Sequence, residues 1–77
     1  MSADVRHLDV TGLVPPDTLI EVRRGLDELS PGEVLEVKTT DRDAVRNLPA
    51  ICESNGHTLL MAREEEDGTL TFQLSKG

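Results

Sequence analysis

One thiol, Cys52, and two imidazoles, His7 and His57, are the whole stock of thiol and imidazole groups in the chain. A thiolate attacks electrophilic sulfur or carbon, and an imidazole moves protons or ligates metals. Spacing argues against a shared site. Neither histidine stands in an i, i+4 pair or beside a Cys-x-x-Cys, so His7, His57, Asp9 and Cys52 do not form a metal-ligand pattern. No triad or acid–base pair can be built from one cysteine, two scattered histidines and carboxylates that fall on surface faces. Neither metal nor cofactor is expected, nor catalysis by this chain alone. The spacing of Cys52 from Val45 and Leu48 puts it on the apolar stripe of a helix, where a thiol packs as a small hydrophobe with a raised pKa. The alternative is a carrier thiol, exposed by opening of a helix kink at Pro49.

The second place for chemistry is the stretch TGLVPPDT, residues 11–18, where a strand gives way to an amphipathic helix. A helix start offers unpaired N–H groups and the positive end of the macrodipole, which together lower the pKa of a thiol placed there. Two prolines, Pro15 and Pro16, hold the position instead. Proline brings no sulfur, no oxygen and no ring nitrogen able to attack. Pro16 suits the first helical residue, since its fixed φ is helical and its missing N–H would be unpaired anyway. Free amides are expected at Asp17 and Thr18, but the prolines remove donors and Asp17 adds a repulsive charge, so an anion site is not expected. What the stretch does present is an apolar lip of Leu13, Val14, Pro15 and Pro16 beside Asp17, with Ile20 lying off the buried helix stripe. These six are the candidate partner-binding residues. Leu13 or Val14 tucked beneath the helix as a staple is the competing reading.

The elements that must position these residues follow from periodicity. Val5 to Val10 alternates as a strand, with Leu8 and Val10 on one side and His7 and Asp9 on the other. From Pro16 the period changes, and Leu19, Val22, Leu26 and Leu29 form one stripe of a helix that Ser30-Pro31-Gly32 stops. Glu33 to Thr40 is a second strand with Leu35, Val37 and Thr39 on one face. Strand, helix, strand makes a βαβ unit with a right-handed crossover. Thr40 or Asp41 can cap a second helix carrying Ala44, Val45, Leu48, Ile51 and Cys52 on one face, closed by Asn55-Gly56. Pro49 predicts a kink or break near residues 47–49, because an interior proline costs about 3 kcal/mol. His57 to Glu65 and Thr69 to Leu74 are strands joined at Asp67-Gly68, with Leu70, Phe72 and Leu74 inward. The order is βαβαββ, an α/β (α+β) two-layer sandwich in which both helices cover one face of a mixed four-stranded sheet. Glu36, Lys38, Thr69, Thr71 and Gln73 alternate onto a solvated opposite face. Glu64-Glu65-Glu66 reads as a solvated strand end that discourages edge pairing.

Length and charge bound the rest. A chain of 77 residues is one domain, 1–77, burying only about 60% of the surface its unfolded form exposes. Fifteen acidic against eight basic residues give a net charge of −7, which repels phosphate backbones and anionic lipid. With Phe72 the only aromatic, there is no stacking platform for single strands either, so neither nucleic acid nor membrane is an expected partner. A cationic protein surface fits better. The opening MSADVRHLDV lacks a basic stretch followed by an apolar run, the longest apolar run is Leu59 to Ala62, and a lone cysteine suits a reducing compartment. The expectation is a cytoplasmic protein.

Leu8-Asp9, Gly12-Leu13, Pro16 opening a helix, Pro31-Gly32-Glu33, Asp41, Pro49 with Cys52, and Asn55-Gly56-His57, in that order and spacing, resemble the TusA/SirA family of small sulfur-carrier proteins. The resemblance runs from about Leu8 to the C-terminus and implies the same βαβαββ sandwich. In that family a Cys-Pro-x-Pro motif opens helix one, and its cysteine takes sulfur as a persulfide from a cysteine desulfurase or rhodanese and passes it along a relay. The resemblance places Pro15 at the family's cysteine, Pro16 at its first proline and Thr18 at its second. It also places Cys52 at a second cysteine found in some relatives. It therefore implies a sulfur-relay fold without the motif nucleophile: a non-catalytic binding or regulatory protein whose partner is a desulfurase, a rhodanese or another relay protein. The alternative is a sulfur carrier that uses Cys52.

Overall fold

The computed structural model describes residues 4–77. Met1 to Ala3, on which part of the reading of the opening segment rests, lie outside the described residues. The elements are β1 (Val5–Asp9), α1 (Asp17–Asp27), β2 (Val34–Thr39), α2 (Ala44–Asn55), β3 (Thr58–Glu64) and β4 (Leu70–Ser75). They make one four-stranded sheet in the order β1-β2-β4-β3. β1 and β2 are parallel, as the βαβ reading requires, and β4 runs antiparallel to both β2 and β3. This is the mixed two-layer sandwich that the periodicity predicts.

Strand register explains where the core sits. β2 and β4 oppose Leu35 to Leu74, Val37 to Phe72 and Thr39 to Leu70, and all six side chains are buried. Alternation puts them on one face, against which Val22 and Leu26 of α1 and Leu48, Ile51 and Cys52 of α2 pack as a single apolar cluster. Gly25 lets α1 approach that face, because a Cβ there would stand 3.1 Å from Leu35 Cδ2. On the other face Glu36 Oε2 meets His7 Nδ1 at 3.0 Å and Glu36 Oε1 accepts from Gln73 Nε2 at 2.8 Å. That face is polar, as expected, with one correction: Thr71 is buried, because its hydroxyl donates to Glu65 Oε2 at 2.7 Å beneath the Arg63–Glu65 pair.

Three further expectations need correcting. α1 ends at Asp27, so Leu29 reaches the core from the residues that follow the helix and not from the stripe itself. Val45 does not join the buried face of α2 and is 55% exposed; at 100° per residue it is the outermost residue of that stripe, about 120° from Ile51. No break occurs near Pro49; α2 runs through it from Ala44 to Asn55. The carbonyl that proline deprives of a partner belongs to Val45, an exposed residue, while Leu48, Ile51 and Cys52 hold the helix on the sheet. A feature that the sequence pattern did not address is a register shift in β3 between Leu59 and Met61, where Leu60 is exposed.

Candidate functional site

The C-terminal ends of the parallel strands β1 and β2 lie side by side, and Leu70 of β4 pairs with Thr39 there, so the hairpin at residues 65–69 joins the same end of the molecule. Three loops meet: residues 10–16, residues 40–43 and that hairpin. The loop before α1 is held by local bonds. Asp9 Oδ1 accepts both the Thr11 amide at 2.9 Å and the Thr11 hydroxyl at 2.7 Å, and these two donors hold the Asp9 carboxyl below its ordinary pKa. The Gly12 amide donates to Thr40 Oγ1 at 2.9 Å. Leu13 then turns inward to pack against the core, while Val14 points out at 64% exposure. The lip is thus divided: Leu13 is the staple, and Val14, Pro15, Pro16, Asp17 and Ile20 form the exposed surface.

The Pro15–Pro16 bond is cis, and Pro16 stands at the N-cap, one residue before the helix. Its carbonyl accepts the Ile20 amide at 3.1 Å. The free amides expected at Asp17 and Thr18 are not free. Both donate to the Val14 carbonyl, at 2.8 and 3.3 Å, because the chain folds back over itself at the two prolines. Two of the donors that would greet an anion are thus already used, and Asp17 stands in the first turn.

Beside the prolines, between the starts of α1 and α2, lies a cleft of about 180 Å³ lined by Pro15, Pro16, Thr18, Leu19, Asp41, Ala44, Asn47 and Leu48. Thr18 is 3% exposed, and its Oγ1 is the buried side-chain polar atom left without a hydrogen-bond partner among the described residues. Asp41, 8% exposed, accepts the Asp43 amide on Oδ1 at 2.9 Å and donates its own amide to Thr39 Oγ1. It therefore shapes the turn that leads into α2, and the cap position expected of Thr40 or Asp41 falls to Asp43 instead. Sequence reasoning missed Thr18 and Asp41 as members of one cleft, because 23 positions separate them and each reads locally as a helix-start residue.

Cys52 is elsewhere. It sits in the core at 3% exposure, a free thiol whose burial pushes its pKa up. The structure does not bring it to the proline end, and neither histidine approaches it by hydrogen bond. His7 pairs with Glu36 on the outer face, and His57 Nδ1 accepts the Gly77 amide at 3.0 Å. Among the described residues no group of three or more His, Cys, Asp or Glu side chains could hold a metal ion, and no helix is long and apolar enough to cross a membrane.

A parallel βαβ unit closed by an antiparallel hairpin, with an exposed proline-rich helix start at the ends of its parallel strands, defines a small two-layer α+β protein. The family model described as sulfurtransferase TusA matches residues 6–76. The sulfur carrier protein TusA of Pseudomonas entomophila is 38% identical over 69 residues, covering 90% of this chain and 85% of that protein. The putative sulfur carrier protein YrkI of Bacillus subtilis is 39% identical over 70 residues, covering 91% and 92%. A crystal structure of a SirA-like protein from Desulfitobacterium hafniense superimposes with a TM-score of 0.82 over 95% of this chain and 97% of that one, at 24% identity, and shares the fold. The chain belongs to the TusA family of sulfur carriers.

Proposed function

We propose that this chain is a protein-binding or regulatory member of a sulfur relay, one that keeps the family's docking end and carries no sulfur itself. The observation that carries the reading is the pairing of an exposed, unreactive Pro15 at the helix start with a thiol, Cys52, that is shut in the core. A sulfur donor must reach a thiolate. Pro15 has none to give, and Cys52 is both unreachable and held in its protonated form by burial.

The exposed surface around that position supports docking. Val14, Pro15, Pro16 and Ile20 are apolar and open to solvent, Asp17 is exposed beside them, and the chain as a whole carries a net charge of −7. A partner of the cysteine desulfurase, rhodanese or carrier type with a cationic face fits this end, in the reducing cytoplasm where a lone thiol stays free. The test is co-elution of the purified chain with each such protein encoded in its own genome neighbourhood. A stable complex that a Val14→Arg or Ile20→Arg variant disrupts is the expected result. Absence of any complex overturns the proposal.

A further inference from the structure

We propose that the cleft beside the double proline is a socket for one lysine side chain of a protein partner, its stem lying between the prolines and α2 and its ammonium set on Asp41, Thr18 and Asn47. The inference rests on the docking role proposed above and names the chemistry that would be recognised.

Size comes first. At about 180 Å³ the cleft falls below the roughly 300–1,000 Å³ of pockets that hold whole metabolites or cofactors, and suits a single side chain. Its walls are apolar on two sides, Pro15 and Pro16 facing Leu19 and Leu48, which fits a methylene stem.

Two polar groups in it have acceptor capacity to spare. Asp41 is a carboxylate at 8% exposure, yet none of the ion pairs among the described residues includes it. Its Oδ1 accepts the Asp43 amide, and no hydrogen bond among the described residues occupies Oδ2, which leaves that oxygen for a ligand's cation. The Thr18 hydroxyl, also buried, has no hydrogen-bond partner, whereas buried hydroxyls almost always do. Both line the same cleft, with the Asn47 amide beside them. Together they offer three acceptors to a ligand that carries three donors and a positive charge.

The geometry selects lysine over arginine. Asp41 Oδ1 already accepts the Asp43 amide, so a planar guanidinium fork would have to share that oxygen with it. An ammonium needs only one. Asp41 is the one charged residue of the lining, so the cleft favours a cation over an anionic ligand.

The test is an NMR titration of the full ¹⁵N-labelled chain with the peptide Ac-Gly-Lys-Gly-NH₂, its norleucine counterpart and its arginine counterpart. The lysine peptide is expected to move the amides of Thr18, Asp41 and Asn47 saturably. The norleucine peptide, equal in stem but uncharged, is expected to bind at least about tenfold more weakly, the factor for one lost charge-assisted hydrogen bond. Asp41→Asn, which keeps an oxygen for the Asp43 amide, is expected to weaken the lysine peptide by a similar factor. Thr18→Val keeps the shape of the buried side chain and is expected to weaken it severalfold, so the test stands even if Asp41→Asn fails to fold. Equal binding of lysine and norleucine, tighter binding of arginine, no binding, or indifference to both substitutions overturns the socket. Such a failure leaves the docking role standing if Val14→Arg still breaks a relay complex, whereas a socket without any relay complex overturns the docking role alone.

Discussion

The Gly12 amide donates to Thr40 Oγ1 at 2.9 Å, a bond between residues 28 apart in sequence that ties the loop carrying the prolines to the loop that opens α2. The two walls of the cleft are therefore coupled. A side-chain hydrogen bond of this kind is worth about 1 kcal/mol net. Thr40→Val is expected to cost about that much in urea denaturation, and to raise hydrogen exchange at Gly12 while exchange at Val37 and Phe72 follows global stability. Unchanged exchange at Gly12 would show that the loop is held by other contacts.

Pro15 stands exposed directly ahead of α1, where an introduced thiol would meet solvent and the positive end of the helix. Pro15→Cys is expected to gain one sulfur atom on incubation with a persulfide donor, read by intact mass, while the unsubstituted chain gains none. Because Val14 already accepts from the Asp17 and Thr18 amides, fewer donors remain to stabilise a thiolate there. Loading is accordingly expected to need an enzymatic donor that docks on the chain. If Pro15→Cys stays unmodified in the presence of desulfurase or rhodanese, the docking surface of a carrier has not been retained.

Cys52 is buried among Leu48, Ile51 and the sheet, and burial raises its pKa. The folded chain is expected to resist labelling by a thiol-specific disulfide reagent near pH 8 until denaturant unfolds it, after which one thiol reacts. The sign of the pH effect follows from the raised value. The thiol's contribution to stability is full below the unfolded thiol pKa of about 8.5 and is lost as pH rises through the higher folded value. Rapid labelling without unfolding, or a sulfur gained on donor incubation that Cys52→Ser abolishes, would instead make Cys52 a carrier site.

The fold was legible because its period-2 and period-3.6 patterns are clean. Leu35, Val37, Phe72 and Leu74 alternate in register, and Val22 and Leu26 fall on one stripe, so every strand and helix was placed to within a few residues. What escaped the pattern depended on three-dimensional neighbours. Val45 fits the helical stripe by spacing, but it stands at the stripe's edge, 55% exposed on an open groove that it lines with Ala62, Leu70 and Phe72. The amides of Asp17 and Thr18 look unpaired from helix geometry alone, and only the reversal at Pro15–Pro16 brings the Val14 carbonyl onto them. Thr18 and Asp41 are helix-start residues in sequence and become one cleft only when the two helix starts converge.

Two Asp-x-Thr turns, Asp9 to Thr11 and Asp67 to Thr69, use the same device. In each the carboxylate accepts the threonine amide, at 2.9 and 3.0 Å, and the threonine hydroxyl, at 2.7 Å. These bonds favour the ionised form and hold both carboxyls below their ordinary values. The stabilisation they give is present above the ordinary aspartate pKa of about 3.9 and fades as pH falls through the lowered folded values. In an NMR titration of the carboxyl carbons, Thr11→Val is expected to move Asp9 upward and leave Asp67 in place. Equal movement of both, or of neither, would deny the local origin of the shift.

Pro49 offers the sharpest test of how α2 is held. It lies inside the helix, where it cannot donate to the Val45 carbonyl, and the helix persists because Leu48, Ile51 and Cys52 on the adjacent face are buried against the sheet. Proline in a helix interior is disfavoured relative to alanine by about 3 kcal/mol, while its stiffness returns about 0.4–1 kcal/mol by restricting the unfolded chain. The first effect outweighs the second. Pro49→Ala is therefore expected to stabilise the chain by about 1–3 kcal/mol, seen as a higher denaturation midpoint with an unchanged denaturant slope. The amide that this substitution introduces should also exchange slowly, because it acquires the Val45 carbonyl as its acceptor. A neutral or destabilising outcome would mean that the proline ring packs into the fold as a contact in its own right, and that α2 is shaped around it.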